Sequence, residues 1–172
     1  LIVGDVATAL KKVDYFQSLG IKAVPIISYR QRKRHVHEYM QTMDESFMSL
    51  RNFQKPAMRY LSDICIIQEK QELNLEGPPP CFNMRQNNKV TICPYFFRCP
   101  YHHAYHDLSE ADILIATIQG LVYSEMPSAL TGIRMRMFEY VYRRSSLILI
   151  DEADRVQSQL DAIFAPEEEI AG

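Results

Sequence analysis

The chain has 172 residues, 47% hydrophobic and 23% charged, a balance typical of a globular domain with a core rather than of a disordered segment. The formal net charge of −2 gives no general attraction to nucleic acid, so any basic binding surface must be local. The apolar runs are too short to span a membrane, and the first residues lack the features of a signal peptide. We therefore expect a cytoplasmic protein with no membrane partner.

The first fifty residues predict strands alternating with helices. Residues 1–5 predict a strand, residues 6–19 a helix capped by Gly20, and residues 21–27 a second strand. This order predicts a parallel pair with a right-handed crossover. A basic run at residues 30–35 then leads into a helix with one apolar stripe. The stripe consists of Val36, Met40, Met43, Phe47 and Leu50.

Regular periodicity stops between residues 52 and 108. This stretch contains all four cysteines, three consecutive prolines and three of the five histidines. We expect residues 52–108 to form an insertion held together by its cysteines, because it cannot bury enough apolar area on its own. Residues 1–51 and 109–172 would form the domain that carries it.

The pattern of strands and helices resumes after the insertion. Residues 111–117 predict a buried strand, followed by a short helical piece through residues 120–122 and a helix over residues 131–142. The apolar run at residues 147–150 predicts another buried strand. A last helix is expected over residues 153–164. The fold class is therefore α/β with a parallel sheet, and because the chain opens within a strand and without Met, we expect a segment of a larger protein.

Two adjacent carboxylates, Asp151 and Glu152, follow the last apolar strand directly. Open α/β sheets bind ligands at the carboxyl ends of their strands. Asp151 is placed to hold Mg²⁺ through water, and Glu152 to orient and deprotonate an attacking water. Asp154 is less well placed for metal and would respond to nucleotide state. The alternative is an acid-rich helix N-terminus with no catalytic role.

The sequence Leu147–Asp154, LILIDEAD, resembles the Walker B or DEAD-box motif of superfamily 2 helicases. The resemblance implies a partial RecA-like sheet of the P-loop NTPase type, with ATP and Mg²⁺ bound at Asp151 and Glu152. The chain contains no G-x-x-x-x-G-K-[ST] loop. We therefore expect the phosphate-binding loop to lie upstream of this segment. Without that loop, the segment by itself should hydrolyse no ATP. A degenerate ATPase is the competing interpretation.

Two further stretches resemble nucleic-acid-binding motifs of the same helicases. Gly4, Asp5 and Thr8 lie where motif Ia would contact a single strand, although an ordinary capped turn explains them equally well. Residues 111–121 resemble motif Ib, which implies backbone contacts for Thr117 and Gln119. Where that family usually has Pro after the Thr, this chain has Ile118.

The four cysteines, Cys65, Cys81, Cys93 and Cys99, are separated by 15, 11 and 5 residues. Without a signal peptide, a metal site is favoured over two disulfides. The spacing differs from the paired C-x2-C of zinc ribbons and is more typical of an iron–sulfur cluster.

The position of the cluster, and the sequence from Cys93 to Phe96, resemble the iron–sulfur helicases of DNA repair and the damage response. The resemblance implies a 4Fe–4S cluster held by the four cysteines, although Cys99 does not align simply with that family. Zn²⁺ and metal-free buried thiols are the alternatives. A ligand from His102, His103 or His106 would favour zinc, but we expect these histidines to be solvated residues near a surface that binds the nucleic-acid backbone.

Basic residues concentrate at residues 30–35, where Arg32 and Arg34 are candidate nucleic-acid contacts. Basic and aromatic residues also alternate within the insertion, as in proteins that bind single strands. The alternatives are a solvated helix start for the basic run and a small aromatic core for the insertion.

We therefore expect part of an ATP-dependent helicase or translocase, acting on single-stranded or junction DNA together with a second RecA-like domain of the same protein. The main alternative is a non-catalytic nucleic-acid-binding module with a zinc-stapled insertion. A metal-dependent nuclease using Asp151, Glu152 and Asp154 is a weaker third possibility.

Overall fold

A computed structural model describes residues 1–28, 32–41, 55–62, 64–67, 85–86 and 89–165. The described chain is mixed α/β. Its strands are β1 (Ile2–Val3), β2 (Ala23–Ile26), β3 (Arg85–Gln86), β4 (Lys89–Val90), β5 (Ile113–Thr117), β6 (Glu125–Met126) and β7 (Met135–Arg136). Its α-helices are α1 (Val6–Ser18), α2 (Arg32–Gln41), α3 (His103–Asp107), α4 (Ile118–Tyr123), α5 (Ser128–Thr131), α6 (Met137–Arg144) and α7 (Ala153–Phe164).

The central sheet has three parallel strands in the order β1–β5–β2. Ala116 of β5 pairs with Ile2 on one side and with Ile26 on the other. The prediction of parallel strands is confirmed, but β1 and β2 are not neighbours, because β5 lies between them. All three strands therefore end at one carboxyl edge, where Gly4, Ile27 and Ile118 follow them.

Helix α1 connects β1 to β2 and covers the sheet. The Asp5 carboxylate accepts the Thr8 backbone N–H at 2.7 Å and so caps the first turn. Leu10 and Val13 are fully buried on the face that meets the sheet. The helix ends as predicted, with Gly20 in the left-handed conformation at φ +78°.

The prediction that residues 147–150 form a buried strand is wrong about the burial. Its backbone pairs with β1, since the Ile2 N–H donates to the Leu149 carbonyl at 2.8 Å. However, only Ile150 forms a β-bridge, and Leu147 and Ile150 remain 71% and 50% exposed. The physical reason is that β1 lies on one side of the run, while no described strand lies on the other.

The predicted helix over residues 131–142 is also displaced. Residues 125–126 and 135–136 pair instead as the antiparallel strands β6 and β7, and the helix runs from Met137 to Arg144. Its first turn is capped because the Glu139 side chain accepts the Arg136 N–H at 2.9 Å. The last helix, α7, has the predicted bounds.

Part of the stretch predicted as an insertion packs in the same core as the sheet. A 3-10 turn at Pro56–Leu61 buries Ala57, Tyr60 and Leu61 against that core. The Ala57 N–H donates to the Asp14 carboxylate of α1 at 2.9 Å. Residues 42–54 and 68–84, which include much of the predicted helical stripe and insertion, lie outside the described residues. None of the described helices is long and apolar enough to cross a membrane.

Candidate functional site

The acidic residues lie at the carboxyl edge of the sheet, beside the turn that follows β1. The Asp151 N–H donates to the Ile2 carbonyl at 2.9 Å, which brings the end of the run 147–150 level with β1. Gly4 and Asp5 follow β1 directly. Two stretches at opposite ends of the chain, residues 4–5 and 151–152, therefore meet at one edge, as parallel pairing requires.

Asp151 forms an ion pair with Lys12 of α1. The Lys12 Nζ lies 3.0 Å from the Asp151 Oδ2, and the two side chains are 35% and 45% exposed. A pair with this much solvent contact is weakly held. The Asp151 carboxylate is therefore accessible to a hydrated divalent cation, with which Lys12 would compete.

Glu152 is held by Arg155, one turn further along α7. The Arg155 Nη1 lies 3.2 Å from the Glu152 Oε2 and 3.2 Å from the Asp5 Oδ2. Glu152 also adopts the left-handed conformation, at φ 53° and ψ 56°, which costs a non-glycine residue about 1 kcal/mol. Asp154 lies exposed in the first turn of the helix.

Gly4 makes room for these side chains. A Cβ at Gly4 would lie 2.8 Å from both the Arg155 Cδ and the Glu152 Oε2. The Gln159 side chain also donates to the Gly4 carbonyl at 3.0 Å. Sequence reasoning missed Lys12 and Arg155. The spacing of three residues on a helix could have predicted the contact between Glu152 and Arg155. Nothing in the sequence indicates that Lys12 pairs with Asp151.

The predicted motif Ia and Ib residues divide into surface and internal positions. The Thr8 hydroxyl donates to Asp5 at 3.2 Å within the capping turn. Thr117 is buried, and its hydroxyl accepts the Gly120 N–H at 3.1 Å to cap α4. Gln119 is exposed. Of the two candidate contacts Thr117 and Gln119, only Gln119 is therefore presented at the surface.

The two candidate arginines of α2 also differ. Arg34 is exposed and pairs with Glu38 at 2.5 Å. Arg32 is only 3% exposed. Its guanidinium donates to the carbonyls of Ser62 and Tyr101 and lies 3.7 Å from the centre of the Tyr101 ring. In this conformation the Arg32 guanidinium is part of the interior.

Three of the four predicted metal ligands, Cys65, Cys93 and Cys99, are buried free thiols. Cys81 lies outside the described residues. Burial raises the pKa of the Cys99 thiol, and the backbone N–H groups of Tyr101 and Ile66 offset part of that rise. Among the described residues, no group of three or more His, Cys, Asp or Glu side chains is arranged to hold a metal ion.

Aromatic rings and neutral imidazoles pack in the same segment. The Phe96 ring lies 4.7 Å from the His102 ring and 5.5 Å from the His106 ring. Burial, followed by the nearby charges of His106 and Arg32, lowers the pKa of His102 to about 4. Burial also lowers the pKa values of His103 and His106. These imidazoles are neutral at pH 7, the form in which histidine binds metal.

An apolar trough of about 640 Å³ lies beside the exposed run 147–150. Its lining includes Leu1, Phe138, Tyr142, Leu147 and Leu149. The trough and the run together leave this side of the sheet open to a further apolar element.

Comparisons with protein-family models, with curated proteins and with solved structures found no match to this chain.

Proposed function

We propose that this chain is part of the first motor domain of an ATP-dependent nucleic-acid helicase or translocase of superfamily 2. The observation that carries the proposal is the position of Asp151 and Glu152. Both carboxylates are partly exposed at the carboxyl edge of a parallel sheet, next to the Gly4–Asp5 turn. Nucleotides bind at this edge in open α/β folds.

Phosphoryl transfer needs one group that holds the metal ion and another that activates the attacking water, and the two carboxylates suit these two roles. Mg²⁺, when bound, supplies neutralisation of the phosphate charge. Asp151 would hold that ion through water, releasing Lys12 as it does so. Glu152 would take a proton from the water whose oxygen attacks the γ-phosphorus, while the bond from that phosphorus to the ADP oxygen breaks. Arg155 holds the Glu152 carboxylate in place until then.

The phosphate-binding loop would have to come from residues outside these 172, because the sequence contains no G-x-x-x-x-G-K-[ST]. The half-exposed run 147–150 and the apolar trough beside it suit a further parallel strand with its covering helix. A second RecA-like domain of the same protein would close the nucleotide site.

The test of catalysis is the substitution Glu152→Gln in the intact protein. We expect ATP turnover to fall by about a hundredfold or more, because general-base catalysis contributes that much, while nucleotide binding is kept. Asp161→Asn, an exposed carboxylate on the same helix, is the matched control. Unchanged turnover in Glu152→Gln would refute the role of Glu152.

We propose that the cysteines hold a 4Fe–4S cluster, with Zn²⁺ as the alternative. Three of the thiols are buried, and backbone N–H groups of Tyr101 and Ile66 lower the pKa of Cys99 by hydrogen bonding to its sulfur. Such N–H groups stabilise the charge of a metal-bound thiolate. Protein purified without oxygen should be brown and contain iron. A colourless protein with stoichiometric zinc would refute the iron–sulfur proposal.

The nucleic-acid surface would include the exposed aromatic end of the cysteine region. Phe97 is 66% exposed, lies 6.4 Å from the His106 ring in a stacked arrangement, and is followed by the exposed Arg98. A ring with an adjacent cation suits a stacked base of single-stranded DNA. Phe97→Ala should weaken single-strand binding about tenfold, since one base stack is lost. Tyr15→Ala, which removes an exposed ring on α1, is the control and should leave binding unchanged.

A non-catalytic nucleic-acid-binding module remains the second candidate. The observation that favours it is that both carboxylates already have basic partners, Lys12 and Arg155. The two candidates differ in whether a G-x-x-x-x-G-K-[ST] loop precedes this segment in its gene. ATP-dependent turnover by the intact protein would exclude the non-catalytic module.

A further inference from the structure

Arg32 is a buried cation at the first residue of α2. One Nη of its guanidinium donates to the Ser62 carbonyl, and the other donates to the Tyr101 carbonyl at 2.7 Å. The planar group also lies 3.7 Å from the centre of the Tyr101 ring. A buried guanidinium is costly unless its N–H groups are bonded, so these contacts define a specific position.

The two carbonyls belong to the segments that carry two of the cysteines. Ser62 lies three residues before Cys65, and Tyr101 lies two residues after Cys99. The guanidinium of Arg32 therefore bonds to both of the short segments on which Cys65 and Cys99 lie.

We infer that Arg32 is a positioning residue for the cysteine cluster. Its guanidinium joins the Cys65 segment to the Cys99 segment and anchors both to the helix that follows β2. Arg32 thereby adds a buried polar link between the cysteine region and α2 to the apolar packing of residues 56–61 on the core. This inference needs no ATP hydrolysis, and only its metal-retention test rests on the proposed metal site.

Arginine is suited to this role by its geometry. Its planar fork donates to two separate carbonyls at once, whereas a lysine ammonium is a single point charge on a flexible stem. A lysine at position 32 would bond to one carbonyl and leave the other, in a buried place, without its donor. Arg32→Lys should therefore loosen the two segments while keeping the charge.

The test is site-specific alkylation of the metal-free chain. Labelling of each cysteine by iodoacetamide is followed by mass spectrometry under native conditions. In Arg32→Lys we expect Cys65 and Cys99 to label about tenfold faster than in the wild type, because local opening exposes them. Cys93, which lies in neither tethered segment, should change less than threefold.

Arg34→Lys is the matched control, because Arg34 lies on the same helix but is exposed and pairs with Glu38. It should leave all labelling rates within about twofold of the wild type. Unchanged rates in Arg32→Lys would overturn the inference. So would equal acceleration at all three cysteines, because that is the pattern of general unfolding.

Hydrogen exchange of the unmodified chain provides a measurement that needs no variant. The N–H groups of Ile66 and Tyr101 should exchange slowly and at similar rates, because the same contacts restrain both segments. Rapid exchange at either position would overturn the inference. In protein purified with its metal, Arg32→Lys should retain less metal than Arg34→Lys. Lower retention without faster alkylation of the metal-free chain would overturn the positioning role and leave the metal proposal standing.

Discussion

The carboxyl edge of the sheet and the cysteine region bring distant residues together by opposite means. At the carboxyl edge, Asp151 and Glu152 are held by salt bridges to Lys12 and Arg155 that solvent reaches. In the cysteine region, Cys65, Cys93 and Cys99 are almost fully buried among aromatic rings and neutral imidazoles. The acidic side chains can exchange one partner for another, whereas the cysteine side chains are enclosed.

The difference teaches what each region can do. Exposed ion pairs contribute little to stability, so their charged groups remain free to bind a cation or phosphate at small cost. Enclosed thiols contribute to the core whether or not metal is bound, and a metal held there would be structural rather than exchangeable. The carboxyl edge is therefore suited to ligands that bind and leave, and the cysteine region to a metal that stays bound.

Gly120→Ala should cause the largest loss in the free energy of unfolding, because it disturbs the packing beneath the carboxyl edge rather than its ion pairs. A Cβ at Gly120 would lie 2.2 Å from the carbonyl oxygen of Ile26, at the end of β2. Backbone cannot move aside as a side-chain end can, so we expect a loss of about 3 kcal/mol in the free energy of unfolding. Urea unfolding followed by circular dichroism measures it.

Gly20→Ala is the control for that substitution. Gly20 has φ +78°, and a Cβ added there would meet no atom within 4 Å, so only backbone strain of about 1 kcal/mol is expected. Equal losses in the two variants would show that the approach of α4 to β2 is looser than the structure indicates.

The cysteine region should make the chain sensitive to acid through His102. The pKa of this imidazole is lowered to about 4 by burial and then by neighbouring charges, from an ordinary 6.5. Its stabilising contribution is complete above pH 6.5 and is lost as the pH falls through 6.5 towards 4, because the unfolded chain takes up the proton first. We expect a loss of about 3 kcal/mol over that range.

His102→Phe removes this titration and keeps a ring beside Phe96. Its stability should fall less steeply between pH 6.5 and pH 4 than that of the wild type, with a remaining slope from His103 and His106, whose pKa values are also lowered. His37→Asn, at an exposed position of α2, should follow the wild-type curve. Parallel curves for His102→Phe and the wild type would contradict the buried state of His102.

The sequence was most informative where a strand pattern alone determines position. Alternating strands and helices imply that strand ends share an edge, which places Asp151 near Asp5 without any knowledge of packing. Helix α7 was found with its correct bounds because the spacing of its apolar residues is a local signal. The burial of residues 147–150 was wrong because an apolar run becomes buried only where a partner covers it.

Tertiary contacts between distant residues could not be predicted. Lys12 reaches Asp151 across the sheet edge, and Arg32 reaches Ser62 and Tyr101 across the interior. A basic run gives no indication of which of its members turns inward. Arg32 was therefore expected at a nucleic-acid surface, whereas its guanidinium is buried.

Gly4→Ala should have a smaller effect on stability and a larger one on the site. The new methyl group would lie 2.8 Å from the Glu152 Oε2 and the Arg155 Cδ, two side-chain ends that can move. We expect less than about 1 kcal/mol of lost stability, with a fall of about tenfold in ATP turnover by the intact protein as Glu152 is displaced. Turnover equal to that of the wild type would contradict the close packing of Gly4.

The background Arg155→Ala isolates the cause of that fall. Removing Arg155 takes away one of the two side chains that the methyl group would meet, so Gly4→Ala should have a smaller effect there than in the wild type. The difference between the two backgrounds is the coupling that a double-mutant cycle measures.

Lys12→Met should have the smallest effect on stability and the most informative effect on binding. Lys12 and Asp151 are each more than one-third exposed, so we expect a change within about 0.5 kcal/mol. Removing the competing ammonium should tighten Mg²⁺ binding at Asp151 in the intact protein about threefold, because the local potential becomes more negative. Lys11→Met, at the neighbouring exposed position, should change neither quantity. A loss above about 1 kcal/mol would mean that the Lys12–Asp151 pair is shielded from solvent, and the carboxyl edge would then resemble the enclosed cysteine region in how it is stabilised.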